Sequence, residues 1–211
     1  NTTGSYNTGI GYQALTANTT GNSNTAVGLS SINLNTTGSN NTGLGIYSLT
    51  SLLTGSSNTA LGYLALGYGT SISKIVAIGE SAGVGVTNLD QRSTQDTNSV
   101  FIGYQASRDG LTATTTTLTN MTAIGYRAKV GASNSLVLGG LGADSTNVGI
   151  GTSSPLARLD VVGALSGTSP LLQVSSLGAS YATTTRFIVD SSGNIGIGTT
   201  TPAAKLSVEQ G

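Results

Sequence analysis

One phrase recurs along the first third of this chain at an interval that does not vary. "GSYNTGIGYQAL" from Gly4 is followed by "GNSNTAVGLSSI" from Gly21, "GSNNTGLGIYSL" from Gly38 and "GSSNTALGYLAL" from Gly55. The glycine that closes each "N-T-x-aliphatic-G" element falls at Gly11, Gly28, Gly45, Gly62 and Gly79, a spacing of 17 residues kept four times in succession. The glycines that open the phrase and the aliphatics four residues past the marker (Leu15, Ile32, Leu49, Leu66) hold the same period. Composition bias does not keep three positions in phase. A short fixed period of this kind is the mark of stacked coils.

The coils are not helical, because Gly, Asn and Thr are weak helix formers and no apolar stripe recurs at 3.6 residues. Each repeat reads instead as strand, turn, strand, turn. One extended piece carries Val27, Leu44 or Leu61, the other ends at the aliphatic past the marker, and Gly and Asn turn the corners. Stacking at about 4.8 Å sets Asn24, Asn41 and Asn58 in one column and Thr25, Thr42 and Thr59 in another. A coil this size holds about three aliphatic side chains, contributing roughly 1.5–3 kcal/mol each. That falls short of about 1–2 kcal/mol of backbone entropy for every residue ordered. Coils must therefore stack, and coils this thin call for partner chains as well.

Charge is scarce. Charged residues make up 8% of the chain, against about 25% in ordinary soluble domains, and the first is Lys74. Acidic and basic residues balance without a basic run, which excludes an electrostatic grip on nucleic acid. No apolar run approaches the roughly 20 residues of a membrane span, so no direct membrane insertion is expected. The chain opens inside a repeat, which reads as a piece of something longer. Cys and His are both missing, which removes thiolate and imidazole chemistry and the usual zinc ligand sets.

Beyond Ser73 the markers continue at Gly79 ("IVAIGESAG"), Gly103 ("SVFIGYQAS"), Gly125 ("MTAIGYRAKVG") and Gly139 ("NSLVLGG"), at intervals of 24, 22 and 14. Residues 84–98 and 108–120 read as enlarged outward loops carrying Asp90, Arg92, Asp96, Arg108 and Asp109. A different motif closes the chain: "NVGIGTSSPLARLDV" (147–161) returns as "NIGIGTTTPAAKLSV" (194–208), 47 residues on. Three segments follow: a regular uncharged solenoid (1–73), an irregular β-roll with enlarged loops (74–146) and a shaft with two motif copies (147–211).

"MTAIGYRAKVGASNSLVLGG" resembles the left-handed parallel β-roll repeats of trimeric autotransporter adhesin heads, and "NTAVG" and "NTALG" look like a longer version of that repeat. The "GIGT-x-x-P-x-A-[RK]-L-x-V" motif is similar to one common in phage tail fibres and large bacterial surface fibres. The resemblance implies an all-β fold, a β-solenoid leading into a β-prism-like shaft as an intertwined homotrimer. It implies a non-enzymatic adhesive fibre, extracellular, on a cell surface or a virion, whose outer loops attach to a host or neighbouring cell. The expected partners are the chain itself, surface glycans and a cell-surface receptor. A self-polymerising extracellular filament subunit without a specific ligand is the alternative.

No residue set reads as a catalytic, cofactor-binding or metal site, and no cofactor is expected. "GVGVTN" (83–88) and "GIGTSS" (149–154) lack the lysine and helix of a phosphate loop. The carboxylates are scattered singly, so a glycan hydrolase would have to bring Asp90, Asp96 and Asp109 together across chains. Asp144 and Asp190 sit in turn sequences, "ADSTN" and "DSSGN". Tyr12, Tyr63, Tyr104 and Tyr126 each follow a marker glycine, as an interface ring between protomers or as sugar-stacking platforms. Asn1, Asn18, Asn35, Asn40 and Asn120 begin Asn-x-Thr triplets, the glycosylation pattern, in a chain where chance alone supplies them. The pairs Thr19-Thr20 and Thr36-Thr37 read as turn residues rather than as an ice-matching face.

Overall fold

The computed structural model describes residues 1–84, 97–109, 118–140, 142, 145–163, 169–177 and 183–209. The chain divides into two compact units, Asn1–Thr146 and Asn147–Gly211.

The first unit is a parallel β-solenoid. Four three-residue strands come first: β1 (Thr8–Ile10), β2 (Thr25–Val27), β3 (Thr42–Leu44) and β4 (Thr59–Leu61). They are followed by β5 (Ser73–Ile78), β6 (Thr97–Ile102), β7 (Ser107–Arg108), β8 (Met121–Ile124), β9 (Lys129–Val130) and β10 (Ser135–Leu138). Eight of them form one sheet in the order β1-β2-β3-β4-β5-β6-β8-β10, every pairing parallel. Register follows the sequence period, with Thr8 on Thr25, Thr25 on Thr42 and Thr42 on Thr59. The change of composition near residue 73 leaves no break, since β4 pairs with β5 in the same sheet.

Bonding between coils continues around the corners. The marker N–H groups of Gly28, Gly45, Gly62 and Gly79 donate to the carbonyls of Ile10, Val27, Leu44 and Leu61 at 2.8–2.9 Å. Past the marker, Leu15, Ile32, Leu49 and Leu66 donate to Ser31, Ser48, Ala65 and Ala82. Here the structure departs from a second strand per coil. The residues two and four past the marker, such as Ser30 (φ 52) and Ile32 (φ 48), lie in the left-handed region, which breaks the pleat. A second pairing of strands occurs late in the stack, between β7 and β9. The markers have to be glycine: Gly45 has φ +134, and a Cβ there would stand 2.5 Å from the Gly62 carbonyl oxygen.

The interior is narrow, and that decides which residues enter it. In the three-residue strands the inward position is small, with Ala26 and Ala60 fully buried, while the longer strands also bury Ile75, Phe101 and Met121. A Cβ on Gly43 would meet Ser31 Oγ at 2.6 Å and Ile32 Cγ1 at 2.9 Å. The aliphatics past the marker supply the bulk of the core: Ile32 and Leu49 are 0% exposed. Val27, Leu44 and Leu61 flank the small inward residue and therefore point outward, Leu44 being 45% exposed. The interior share varies with the coil: Leu49 and Leu52 are buried in one, and Leu66, Ile72 and Ile75 in the next.

Two asparagine columns seal the corners. Asn24, Asn41 and Asn58 are buried, and the Oδ1 of each accepts the main-chain N–H one coil on, from Asn41, Asn58 and Ile75. Their Nδ2 groups donate to the carbonyls of Gly38, Gly55 and Ile72. Asn18 and Asn35 form a second column, bonding each other at 2.9 Å and the carbonyls of Gly21 and Gly38. One side chain thus satisfies a donor and an acceptor that a corner would otherwise orphan.

The second unit contains β11 (Val148–Ile150), β12 (Leu159–Val161), β13 (Leu172–Leu177), β14 (Thr183–Val189), β15 (Ile195–Ile197) and β16 (Leu206–Val208). The two motif copies fold alike, as parallel pairs β11-β12 and β15-β16, with Val148 on Leu159 and Ile195 on Leu206. The second copy is joined to an antiparallel hairpin in the order β13-β14-β15-β16. At the hairpin's exit Asp190 Oδ1 accepts the N–H groups of Ser192 and Asn194, both at 2.8 Å. The bond from the Asn194 N–H is the main reason its carboxyl sits below the usual range.

Candidate interaction surface

The outward residues of the solenoid sheet form two continuous rows. One runs Thr8, Thr25, Thr42, Thr59, Val76, Val100, Thr122, Leu136, and the other Ile10, Val27, Leu44, Leu61, Ile78, Ile102, Ile124, Leu138. Neither row contains a charge. Eight strands at about 4.8 Å make the stripe about 34 Å long. Its members lie open: Ile10 is 59% exposed, Leu61 41% and Leu138 43%. The signal for this row is legible after the fact. In "T-G-I", "T-A-V", "T-G-L" and "T-A-L" the middle residue is always the smallest, so it is the one turned into the narrow interior.

The tyrosines border this face. Tyr12, Tyr63, Tyr104 and Tyr126 are all exposed. Tyr104 and Tyr126 stack with centroids 5.3 Å apart, and Tyr63 meets Tyr47 edge-on at 6.2 Å. Such pairs fix ring positions while leaving one face of the cluster open.

The charged positions divide. Asp90, Arg92, Asp96 and Asp144 lie outside the described residues, as does most of "GVGVTN". Arg108 is not an outward loop residue: it belongs to β7 and is 6% exposed, with Asp109 half-buried beside it. Lys129 Nζ donates to the Gln105 carbonyl at 2.6 Å and to Ser107 Oγ at 2.7 Å. Burial, reinforced by the Arg127 charge, lowers its pKa to about 8. A serine hydroxyl on a lysine amine is one form of nucleophile and base. Here Ser107 is fully buried and gives its proton to the Arg108 carbonyl, so no substrate reaches it. Among the described residues no group of three or more acidic, His or Cys side chains gathers to hold a metal ion. Among them, too, no helix is long and apolar enough to cross a membrane.

The Asn-x-Thr triplets separate by burial. Asn18 and Asn35 are 2% and 0% exposed and bonded inside their column, so the folded chain does not offer them for glycosylation. Asn1, Asn40 and Asn120 are on the surface. A scan against family models, a search of curated proteins and a search of solved structures each returned no match.

Proposed function

We propose that this chain is a segment of an adhesive fibre: copies associate side by side through the outward sheet face as a parallel homotrimer, and the rod presents loops for attachment at a distance. The observation that carries this reading is the uncharged stripe from Ile10 to Leu138, exposed at Ile10, Leu44, Leu61, Ile78, Ile124 and Leu138 and half-buried at Val27 and Ile102. An isolated chain would leave that surface in water, although patches beyond a few hundred Å² are rare on monomers. A second copy suits it because the rows repeat at the same spacing on every chain and bring no charge to desolvate. The segments that separate β5 from β6 and β7 from β8 in sequence, and the tyrosine border, are then the parts left to meet surface glycans or a receptor.

Sedimentation equilibrium of the chain tests the assembly. A mass of three chains, constant over a wide concentration range, is the expected result. Growth without limit as concentration rises would instead make this a filament subunit, and one chain at every concentration would end the reading. Binding to a glycan array by the assembled chain tests the attachment role, and a blank array removes glycans as the target.

A further inference from the structure

The two copies of the closing motif are one sequence pattern in two environments, and the difference between them locates a strand-acceptor edge. Their parallel pairs match bond for bond. Val148 N donates to Arg158 O as Ile195 N does to Lys205 O, and Val162 N donates to Ile150 O as Glu209 N does to Ile197 O, all at 2.8–2.9 Å. Both copies place a glycine at the centre of the first strand and a threonine beneath it. A Cβ on Gly149 would meet Thr152 O at 2.7 Å and Cγ2 at 3.0 Å, and one on Gly196 would meet the same atoms of Thr199 at 3.1 Å.

The far edge of that strand is where they part. In the second copy β14 lies antiparallel on β15, with Ile188 opposite Gly196, Phe187 opposite Ile197 and Val189 opposite Ile195. Gly198 N donates to Arg186 O at 3.1 Å. Ile188 seats its Cγ2 over Gly196, and Gly196, Thr199 and Ile188 are all buried. In the first copy β11 pairs with β12 alone. Among the described residues Gly149 and Gly151 find no main-chain partner on that side, Gly149 is exposed and Thr152 is half-buried. The aliphatic seat exists and stands open.

We propose that the outer edge of β11 accepts an antiparallel strand from a second copy of this chain, one that sets an aliphatic side chain over Gly149 as Ile188 sits over Gly196. The occupant is another copy for two reasons. The residues that precede β11 as Arg186 and Phe187 precede β15 are Gly139 and Gly140, which are held in the last coil by the Gly139 N–H on Ile124 O at 2.7 Å and the Ala128–Gly140 bridge. And β13 is an edge strand of six residues in the same unit, with Leu172 and Val174 exposed. Main-chain pairing supplies the affinity of such an addition, and the glycine seat sets its register. The second copy is the one read above to associate through the solenoid face, so the inference rests on that assembly.

Amide hydrogen exchange on the whole chain, read residue by residue across a dilution series followed by sedimentation, tests this. The Gly149 and Gly151 amides are expected to be protected in the assembly as the Gly198 amide is, at least tenfold, and to lose that protection on dilution to single chains. Assembly without protection of Gly149 and Gly151 overturns the strand addition and leaves the side-by-side rod standing. Protection that persists in single chains overturns it as well, since the chain's own residues then cover the edge. A chain that never associates takes both readings down together.

Discussion

In the solenoid, coil after coil lays an aliphatic side chain against its neighbours, and Ile32, Leu49, Leu52 and Leu66 close into one cluster with the inward alanines. In Asn147–Gly211 the strands are as long and the motif as regular, yet Ile188 is the one large apolar side chain buried among the described residues. Leu156 is 95% exposed there, and Leu159, Leu206 and Val208 are each more than half exposed. The difference is one of coil number. A coil is closed by the coils above and below it, and eight in succession provide that for every member but the two at the ends. A motif copy in the second unit is a single turn, β11 to β12 or β15 to β16, and among the described residues the first has no further strand on it while the second has only the β13-β14 hairpin. Such a unit has little interior of its own, and in the proposed assembly other chains supply the rest. The teaching is that the same strand-and-corner grammar yields a self-supporting body or a dependent one according to how many times it is repeated in series.

The largest expected effect that separates the two comes from one substitution made in both. Gly45→Ala forces a Cβ onto the Gly62 carbonyl at φ +134, and we expect a loss of more than about 4 kcal/mol. Gly193→Ala, where φ is +74 with nothing within 4 Å, is expected to cost about 1 kcal/mol. Urea denaturation of each variant measures both, and equal losses would erase the distinction between a stacked corner and a free one.

Next in size are side chains in the two layers of one coil. Leu49→Ala should cost about 2–5 kcal/mol at any concentration, because Leu49 is 0% exposed within its own chain. Leu44→Ala should cost less than about 0.5 kcal/mol in a single chain but weaken the assembly. Thermal melts at two concentrations reveal this, and a Leu44 effect that ignores concentration would mean its row faces water in the working state. Asn41→Ala belongs between them, at about 1–3 kcal/mol, since it orphans the Asn58 N–H and the Gly55 carbonyl.

The last effect is electrostatic and confined to the irregular coils. Folding lowers the Lys129 pKa from 10.5 to about 8, so the folded state disfavours the charged amine. The penalty is full below pH 8 and is relieved as pH rises from 8 towards 10.5, so stability climbs across that window. Lys129 is only half-buried, and after allowance for solvent screening the gain is on the order of 1 kcal/mol. Lys129→Met should remove the climb, and a variant whose stability follows the same pH curve would assign it to other groups.

The sequence made the period, the parallel stack and the asparagine column readable because each needs a particular residue at a fixed phase. Gly alone fits the Gly45 corner, and Asn bonds both ways along a stack as few other side chains do. Which strand residues face inward was less legible. Val27, Leu44 and Leu61 read as one column whose direction apolar character does not give, and the tight interior at Ala26, Gly43 and Ala60 turns that column outward. The left-handed residues past the marker were not legible either. Leu15, Leu49 and Leu66 have no local reason to adopt positive φ, and the burial of their side chains in the shared core holds them there against the strain. Arg108 looked like a loop charge because its neighbours in sequence are polar, and it is the pairing of β7 with β9 that draws it in.

The most direct test of the account is the mass of the assembled chain together with the state of Ile188 and Leu206 on dilution. Sedimentation paired with residue-level hydrogen exchange should find a closed trimer in which both units are protected. On dissociation the Asn147–Gly211 amides should open while Leu49 and Asn41 stay protected. A single chain that keeps both units equally protected would contradict it.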